Sequence, residues 1–116
     1  MKQYEEPIIF GIKNWAEEDR PREKLLLKGK HNLSDSELLA ILLGSGSRNE
    51  SAVDLAKRIL QQVEGDLGKL GKMNVAQFKT FKGVGDVKAI TLIAALELGK
   101  RRMSEPTAIQ KQIVDS

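Results

Sequence analysis

Phe78-Lys79-Thr80-Phe81-Lys82-Gly83-Val84-Gly85-Asp86-Val87-Lys88-Ala89-Ile90-Thr91-Leu92 reads as two helical apolar stripes joined by a Gly-Val-Gly turn. Phe78 and Phe81 lie three apart, as do Ala89 and Leu92, the spacing that places side chains on one face of a helix. Between the stripes the chain must reverse within a few residues. Gly83 and Gly85 supply the positive φ or close backbone approach that a reversal demands, and Val84 between them points inward as an apolar plug. A second helix then starts at the tip of the hairpin. The N–H groups of Gly85 and the residues after it have no intrahelical acceptor there and carry the positive end of the helix dipole, which suits an anion such as a phosphate oxygen. Lys88, one turn in, adds a full charge. A glycine cap between two unrelated helices would share the glycines but not both stripes and the plug in register.

The same order occurs a second time. Leu39, Leu42, Gly44, Ser45 and Gly46 repeat Phe78, Phe81, Gly83, Val84 and Gly85 at a constant offset of 39, and Ala52, Val53 and Leu55 repeat Ala89, Ile90 and Leu92 at an offset of 37. The first hairpin therefore carries two extra residues, within Ser47-Arg48-Asn49-Glu50-Ser51. Two such units, each with an uncovered apolar face, are expected to pair into one core with Ala89 inside it. Ser45 replaces the apolar plug in the first copy and its turn is longer, so this copy is expected to contact phosphate less well or to serve mainly as scaffold.

The chain has 116 residues, 41% hydrophobic but only 4% aromatic, so its core must be aliphatic. It contains no cysteine, which excludes disulfides, thiolate metal sites and cysteine nucleophiles. The N-terminus lacks a hydrophobic signal core, and the longest apolar run, Ala89 to Leu96 with Thr91 inside it, is far shorter than the roughly 20 residues needed to cross a bilayer. A soluble, cytoplasmic protein with no membrane partner is expected. The formal charge of +3 is unevenly spread: residues 1–50 hold eight Lys/Arg against nine Asp/Glu, whereas residues 57–102 hold ten against four, a net of +6. The basic half carries the better hairpin and would attract polyanions, nucleic acid foremost. Lys57, Arg58, Lys69 and Lys72 read as solvated surface; Lys82, Lys88 and the run Lys100-Arg101-Arg102 read as candidate contacts.

The helical pattern begins with Asp19 as a cap and Pro21 in a first turn, ending at Gly29. Ser34 and Glu37 form a capping box that opens a helix through Leu43. A third helix runs from Ser51 to Val63 with Ala52, Leu55, Ala56, Ile59 and Val63 inward, and Gly65 ends it. Gly65 to Lys72 holds one short turn. Asn74 and Gln77 cap a fourth helix reaching the Gly83 turn. The fifth, from Asp86 to about Met103, is apolar on most sides and is expected to be the central, buried one. This amounts to an all-α compact bundle of about five helices, with an N-terminal arm at 1–18, the bundle at 19–103 and a linker at 104–116.

The paired hairpins resemble tandem helix-hairpin-helix motifs, which clamp DNA by its backbone. The chain as a whole, through Ile12-Lys13-Asn14-Trp15, Asp19-Arg20-Pro21-Arg22-Glu23-Lys24-Leu25, Leu33-Ser34-Asp35-Ser36-Glu37-Leu38-Leu39-Ala40-Ile41-Leu42-Leu43 and Ala52-Val53-Asp54-Leu55-Ala56, resembles the N-terminal domain of bacterial RadC proteins from about Ile12 to Arg102. The resemblance implies a SAM/RuvA-C-like tandem hairpin domain in a DNA repair protein. It also implies a following JAB/MPN domain, a zinc-metalloprotease-like fold with a Glu and a His-x-His…Ser…Asp metal site. After Ser104 there is no histidine, so that chemistry transfers to no residue of this chain, and no metal or cofactor is expected.

The expected partner is DNA, held through Lys82, Gly83, Val84, Gly85 and Lys88 of the second hairpin, Gly44, Ser45 and Gly46 of the first, and Arg101 and Arg102 beyond. A side chain at Gly85 is expected to damage binding more than folding. Gly46 is expected to tolerate one at about 1 kcal/mol. No catalytic residue is assigned. In glycosylase/lyases that share the hairpin the Schiff-base Lys lies two residues after the second Gly, where Val87 stands here, and the lone His31 has no partners for a triad or metal site. The alternative is a protein-interaction or regulatory module that docks a partner or the JAB/MPN domain.

Overall fold

The computed structural model describes residues 16–104, and every regular element among them is a helix. In chain order these are α1 (Ala16–Lys28), a 3₁₀ turn (Lys30–Asn32), α2 (Asp35–Leu43), α3 (Ala52–Gln62), α4 (Leu67–Leu70), α5 (Val75–Phe78) and α6 (Asp86–Ser104). The fold is all-α, and α4 is the short turn foreseen between Gly65 and Lys72. Most of the arm at 1–18 and of the linker at 104–116 lies outside the described residues.

Local rules set most boundaries. Ser34 Oγ accepts from the Glu37 N–H at 3.2 Å while the Ser34 N–H donates to Glu37 Oε1 at 2.9 Å, a complete capping box for α2. That amide bond holds the Glu37 carboxyl below the usual carboxylate range, against a smaller opposing effect of burial and with help from Lys24. The Lys24 ammonium, 3.1 Å from Glu37 Oε1, also ties α1 to the head of α2. Asn74 and Gln77 make the same reciprocal box at 2.8 Å in each direction for α5. Gly29, at φ 90°, ends α1.

Three boundaries differ from the pattern. The first helix starts at Ala16, inside the expected arm, so Pro21 falls within it and is buried, and Asp19 pairs with Arg22 at 2.8 Å instead of capping. Ala and Glu are good helix formers and carry the helix through Pro21, its sixth residue, which forgoes the bond a backbone N–H there would make four residues back. Next, α5 is a single turn. Its continuation to Gly83 tightens, with Phe81 N–H bonding Phe78 O at 3.2 Å, and this three-residue repeat keeps both phenyl rings on the core side. Finally, α6 is not a central buried helix. It packs against α2 and α5 from one side, burying Ala89 and Leu92 with Ile93 and Leu96 beside them, while Val87 is 78%, Ile90 57% and Leu98 68% exposed.

The core is one aliphatic cluster with two phenyl rings. It joins Leu39, Ala40 and Leu43 of α2 and Ala52, Leu55, Ala56 and Ile59 of α3 to Phe78, Phe81, Val84, Ala89 and Leu92. The repeat-related pairs Leu39 and Phe78, Ala52 and Ala89, and Leu55 and Leu92 are all buried in it. The two hairpins thus share a single interior, and the buried stripe on α3 is the one its spacing predicts.

Candidate nucleic-acid interface

The second hairpin is built around Gly83, whose φ of 98° belongs to the left-handed region, and Val84, which is buried as the plug. The Val84 N–H donates inward to Phe81 O at 3.0 Å, so Val84 offers neither side chain nor amide to a ligand; its expected role as a contact is corrected to one of packing. Gly85 is different. A Cβ built there meets nothing within 4 Å, so the expectation that a side chain is obstructed at this position does not hold. The first bond of α6 runs from the Ala89 N–H to Gly85 O at 3.0 Å, which leaves the N–H groups of Asp86, Val87 and Lys88 ahead of it. Gly85 has no side chain with which to cap them. Lys79 lies 2.7 Å from Asp86 Oδ1 and neutralises the one carboxylate in this first turn. Lys82 is exposed on the same turn.

Lys88 does something its position in the motif does not reveal. Its ammonium donates to Ser45 O at 2.7 Å, Gly46 O at 3.1 Å and Gly83 O at 3.1 Å, bolting the two turns together. All three of its protons are thereby engaged, so its expected role as a phosphate contact gives way to that of an inter-hairpin tie. Gly83 is accordingly part of the tie as well as of the turn.

The first hairpin is closed. Gly44, at φ 80°, ends α2 with its N–H on Ala40 O at 2.9 Å. Ser47 and Glu50 pair through two backbone bonds of 2.8 and 3.3 Å, and Ser51 Oγ accepts from the Asp54 N–H at 3.1 Å, capping α3. A Cβ on Gly46 would lie 2.0 Å from Glu50 O and 2.5 Å from the Ser51 carbonyl carbon. The expected tolerance at Gly46 is therefore overturned: backbone fills the space a side chain would need. Gly44, Ser45 and Gly46 turn two carbonyls toward Lys88, which makes this turn scaffold for the other.

Arg58, read from the sequence as solvated surface, belongs to the same framework. Its Nε and Nη2 donate to the Glu50 carboxylate at 2.8 and 2.7 Å, Nη2 also donates to Lys82 O at 3.0 Å, and the guanidinium sits 6.0 Å from the Phe81 ring centroid. The Arg58 bond holds the Glu50 carboxyl below its ordinary value, and the same pairing raises the guanidinium. No spacing rule links residues 24 apart, so composition alone could not find this contact. Arg101 and Arg102 lie elsewhere: 16 and 17 residues beyond Gly85 on a straight helix, they are about 24 Å along the axis from the hairpin tip, and Arg101 pairs with Glu97 at 3.0 Å. The structure does not bring them into the same site. No helix among the described residues is long and apolar enough to cross a membrane.

Comparison with known proteins places this geometry in a family. A family described as UPF0758 N-terminal matches residues 12–90. The chain is 56% identical over 107 residues to a UPF0758 protein of Flavobacterium johnsoniae, covering 92% of this chain and 46% of that one. Identity is 42% over 106 residues to a UPF0758 protein of Porphyromonas gingivalis, covering 90% and 47%. It is 49% over 94 residues to one of Geobacillus thermodenitrificans, covering 81% and 41%. The chain therefore spans about half the length of these relatives, and no solved structure matches it. With its motifs and most of its length matched, the chain belongs to the UPF0758 family, which is the RadC family, and carries its N-terminal domain.

Proposed function

We propose that this domain is a sequence-independent DNA-binding module of a RadC-like repair protein that works in the cytoplasm. It grips backbone phosphate at the tip of the second hairpin and catalyses nothing by itself. The observation that carries this reading is the open start of α6: Gly85 leaves space for an incoming group, the N–H groups after it precede the first helical bond, and Lys82 stands exposed beside them. A phosphate oxygen would accept from the amides of Gly85 to Val87 while Lys82 supplies the counter-charge. Lys88 and Arg58 act indirectly, by holding the turn in shape.

The test is anisotropy of labelled duplex and branched DNA over a salt series. Log affinity is expected to fall with log salt by about 0.9 per phosphate neutralised, consistent with roughly two to four contacts, and Lys82→Glu is expected to weaken binding to every sequence alike. Binding that ignores salt, or none at low salt, would overturn the proposal. A second reading, a module that docks a protein partner or the JAB/MPN domain of the longer protein, is favoured by Leu26 and Leu27 of α1, which are 81% and 73% exposed side by side.

A further inference from the structure

A groove of about 560 Å³ opens between the end of α3 and the turns on either side of α5. That volume lies within the usual range of small-ligand sites, about 300–1,000 Å³. Val63, Met73 and Phe81, all buried or partly buried, form its apolar floor; Arg58, Gln62, Gln77 and Thr80 stand around it.

The polar groups keep hydrogen-bonding capacity to spare. Arg58 commits Nε and Nη2 to the Glu50 carboxylate and Lys82 O, so the two protons of Nη1, on the edge turned away from Glu50, have no acceptor among the described residues. Gln77 Oε1 accepts from the Asn74 N–H at 2.8 Å, which leaves the two protons of its amide nitrogen to donate. Thr80 Oγ1 donates to Gln77 O at 2.6 Å and retains its lone pairs, and Gln62, exposed at the end of α3, adds a whole carboxamide. Charge is balanced here. Glu50 lies 2.7 Å from Arg58, and no other charged side chain among the described residues lines the groove. A neutral, donor-rich groove with an apolar floor is a poor place for a phosphate and a good one for a flat, uncharged ring with carbonyl and ring-nitrogen acceptors, the chemistry of a nucleobase.

The groove also adjoins the hairpin. The Arg58 guanidinium that borders it donates to Lys82 O at 3.0 Å, and Gly85 is three residues further on, at most about 11 Å along the chain. A base in the groove and a phosphate at the tip can therefore belong to one strand. Resting on the reading of the second hairpin as a phosphate clamp, we infer that this groove takes an unpaired nucleobase of the strand held there. The domain thereby selects DNA with an extrahelical base over continuous duplex, because a base already out of the stack enters at least cost. All four bases carry acceptors for these donors, so the selection is for the unpaired state and not for sequence.

The test is anisotropy of the full 116-residue chain with three labelled DNAs of one sequence: a continuous duplex, the duplex with a single bulged thymidine, and the duplex with a bulged abasic residue. The bulged thymidine is expected to bind about fivefold or more tightly than the other two, the lower end of what one base contributes when it settles on a protein surface. A Gln62→Leu/Thr80→Leu double variant, altered at two exposed sites outside the hairpin tip, is expected to bring the bulged DNA down to the duplex level while duplex affinity and Tm stay those of the parent. Lys82→Glu is expected to weaken all three DNAs and keep their ratio. Equal binding of bulge and duplex, a preference that the abasic bulge shares, or one that survives the double variant overturns this inference and leaves the phosphate clamp standing. Displacement of the bulged DNA by free deoxynucleosides overturns it too, since the groove would then be a nucleoside site independent of the clamp. Binding to none of the three overturns both readings.

Discussion

The two hairpins share a core and differ at their tips. In the first, the chain after Gly46 folds back through the Ser47–Glu50 bridge and α3 starts only at Ala52, capped by Ser51; in the second, α6 starts at Asp86, three residues ahead of Ala89, with only Gly85 before it. Ala52 and Ala89 occupy equivalent, fully buried places, so α6 carries nearly one extra turn beyond the shared register. That extra turn holds the unpartnered amides. Duplication thus preserved the interior, while the five residues from Ser47 to Ser51 turned one tip inward. The lesson is that an internal repeat predicts packing, whereas the chemistry of each copy depends on where its helix begins.

The sharpest way to break this comparison is at the paired glycines. Gly46→Ala places a Cβ against the Glu50 carbonyl and Ser51 backbone, which cannot give way without opening the bridge, and is expected to cost about 3 kcal/mol or more. For a domain of this size that lowers Tm by about 12 °C or more, readable by calorimetry or dichroism. A variant that melts like the parent would mean the first turn is not closed as described.

The tie between the hairpins comes next. Lys88→Met keeps the aliphatic stem but removes the ammonium from Ser45, Gly46 and Gly83 carbonyls, and is expected to cost about 1.5–3 kcal/mol, the range for hydrogen bonds to a charged group. Its effect on DNA separates the two roles this lysine could play. If it only holds the turns together, the salt slope of binding is unchanged in the folded variant; a slope reduced by about one would identify it as a phosphate contact.

Much of this was legible in the sequence because it is local. Capping boxes at Ser34 and Asn74, the stop at Gly29, the inward stripe Ala52-Leu55-Ala56-Ile59 and the Val84 plug all follow from spacing of a few residues, and the structure has them in place. What escaped is tertiary. Lys88 meets Ser45 across 43 residues and Arg58 meets Lys82 across 24, contacts that a pattern of charges on a helix face cannot distinguish from solvated surface. The contrast between Gly46 and Gly85 escaped for the same reason: the motif marks both as glycine, but only the packing around each says whether the missing side chain makes room for backbone or for a ligand. The apolarity of α6 was read as burial because composition does not say which face is covered.

The smallest expected change in stability is also the most diagnostic for function. Gly85→Ser transplants to the second hairpin the cap that Ser51 gives the first; the site has open space, and Gly85 is not among the glycines with positive φ. Serine ranks above glycine at a helix N-cap, so the substitution is expected to stabilise the domain by a few tenths of a kcal/mol. The hydroxyl achieves this by accepting from one of the amides proposed to hold phosphate. Affinity for duplex DNA is therefore expected to fall, equally for all sequences, while Tm holds or rises slightly. A loss of binding with a gain of stability cannot come from damage to the fold, and it would locate the contact at the start of α6. Unchanged affinity in a variant whose Tm has risen would mean that the cap forms and the amides are not where DNA is held.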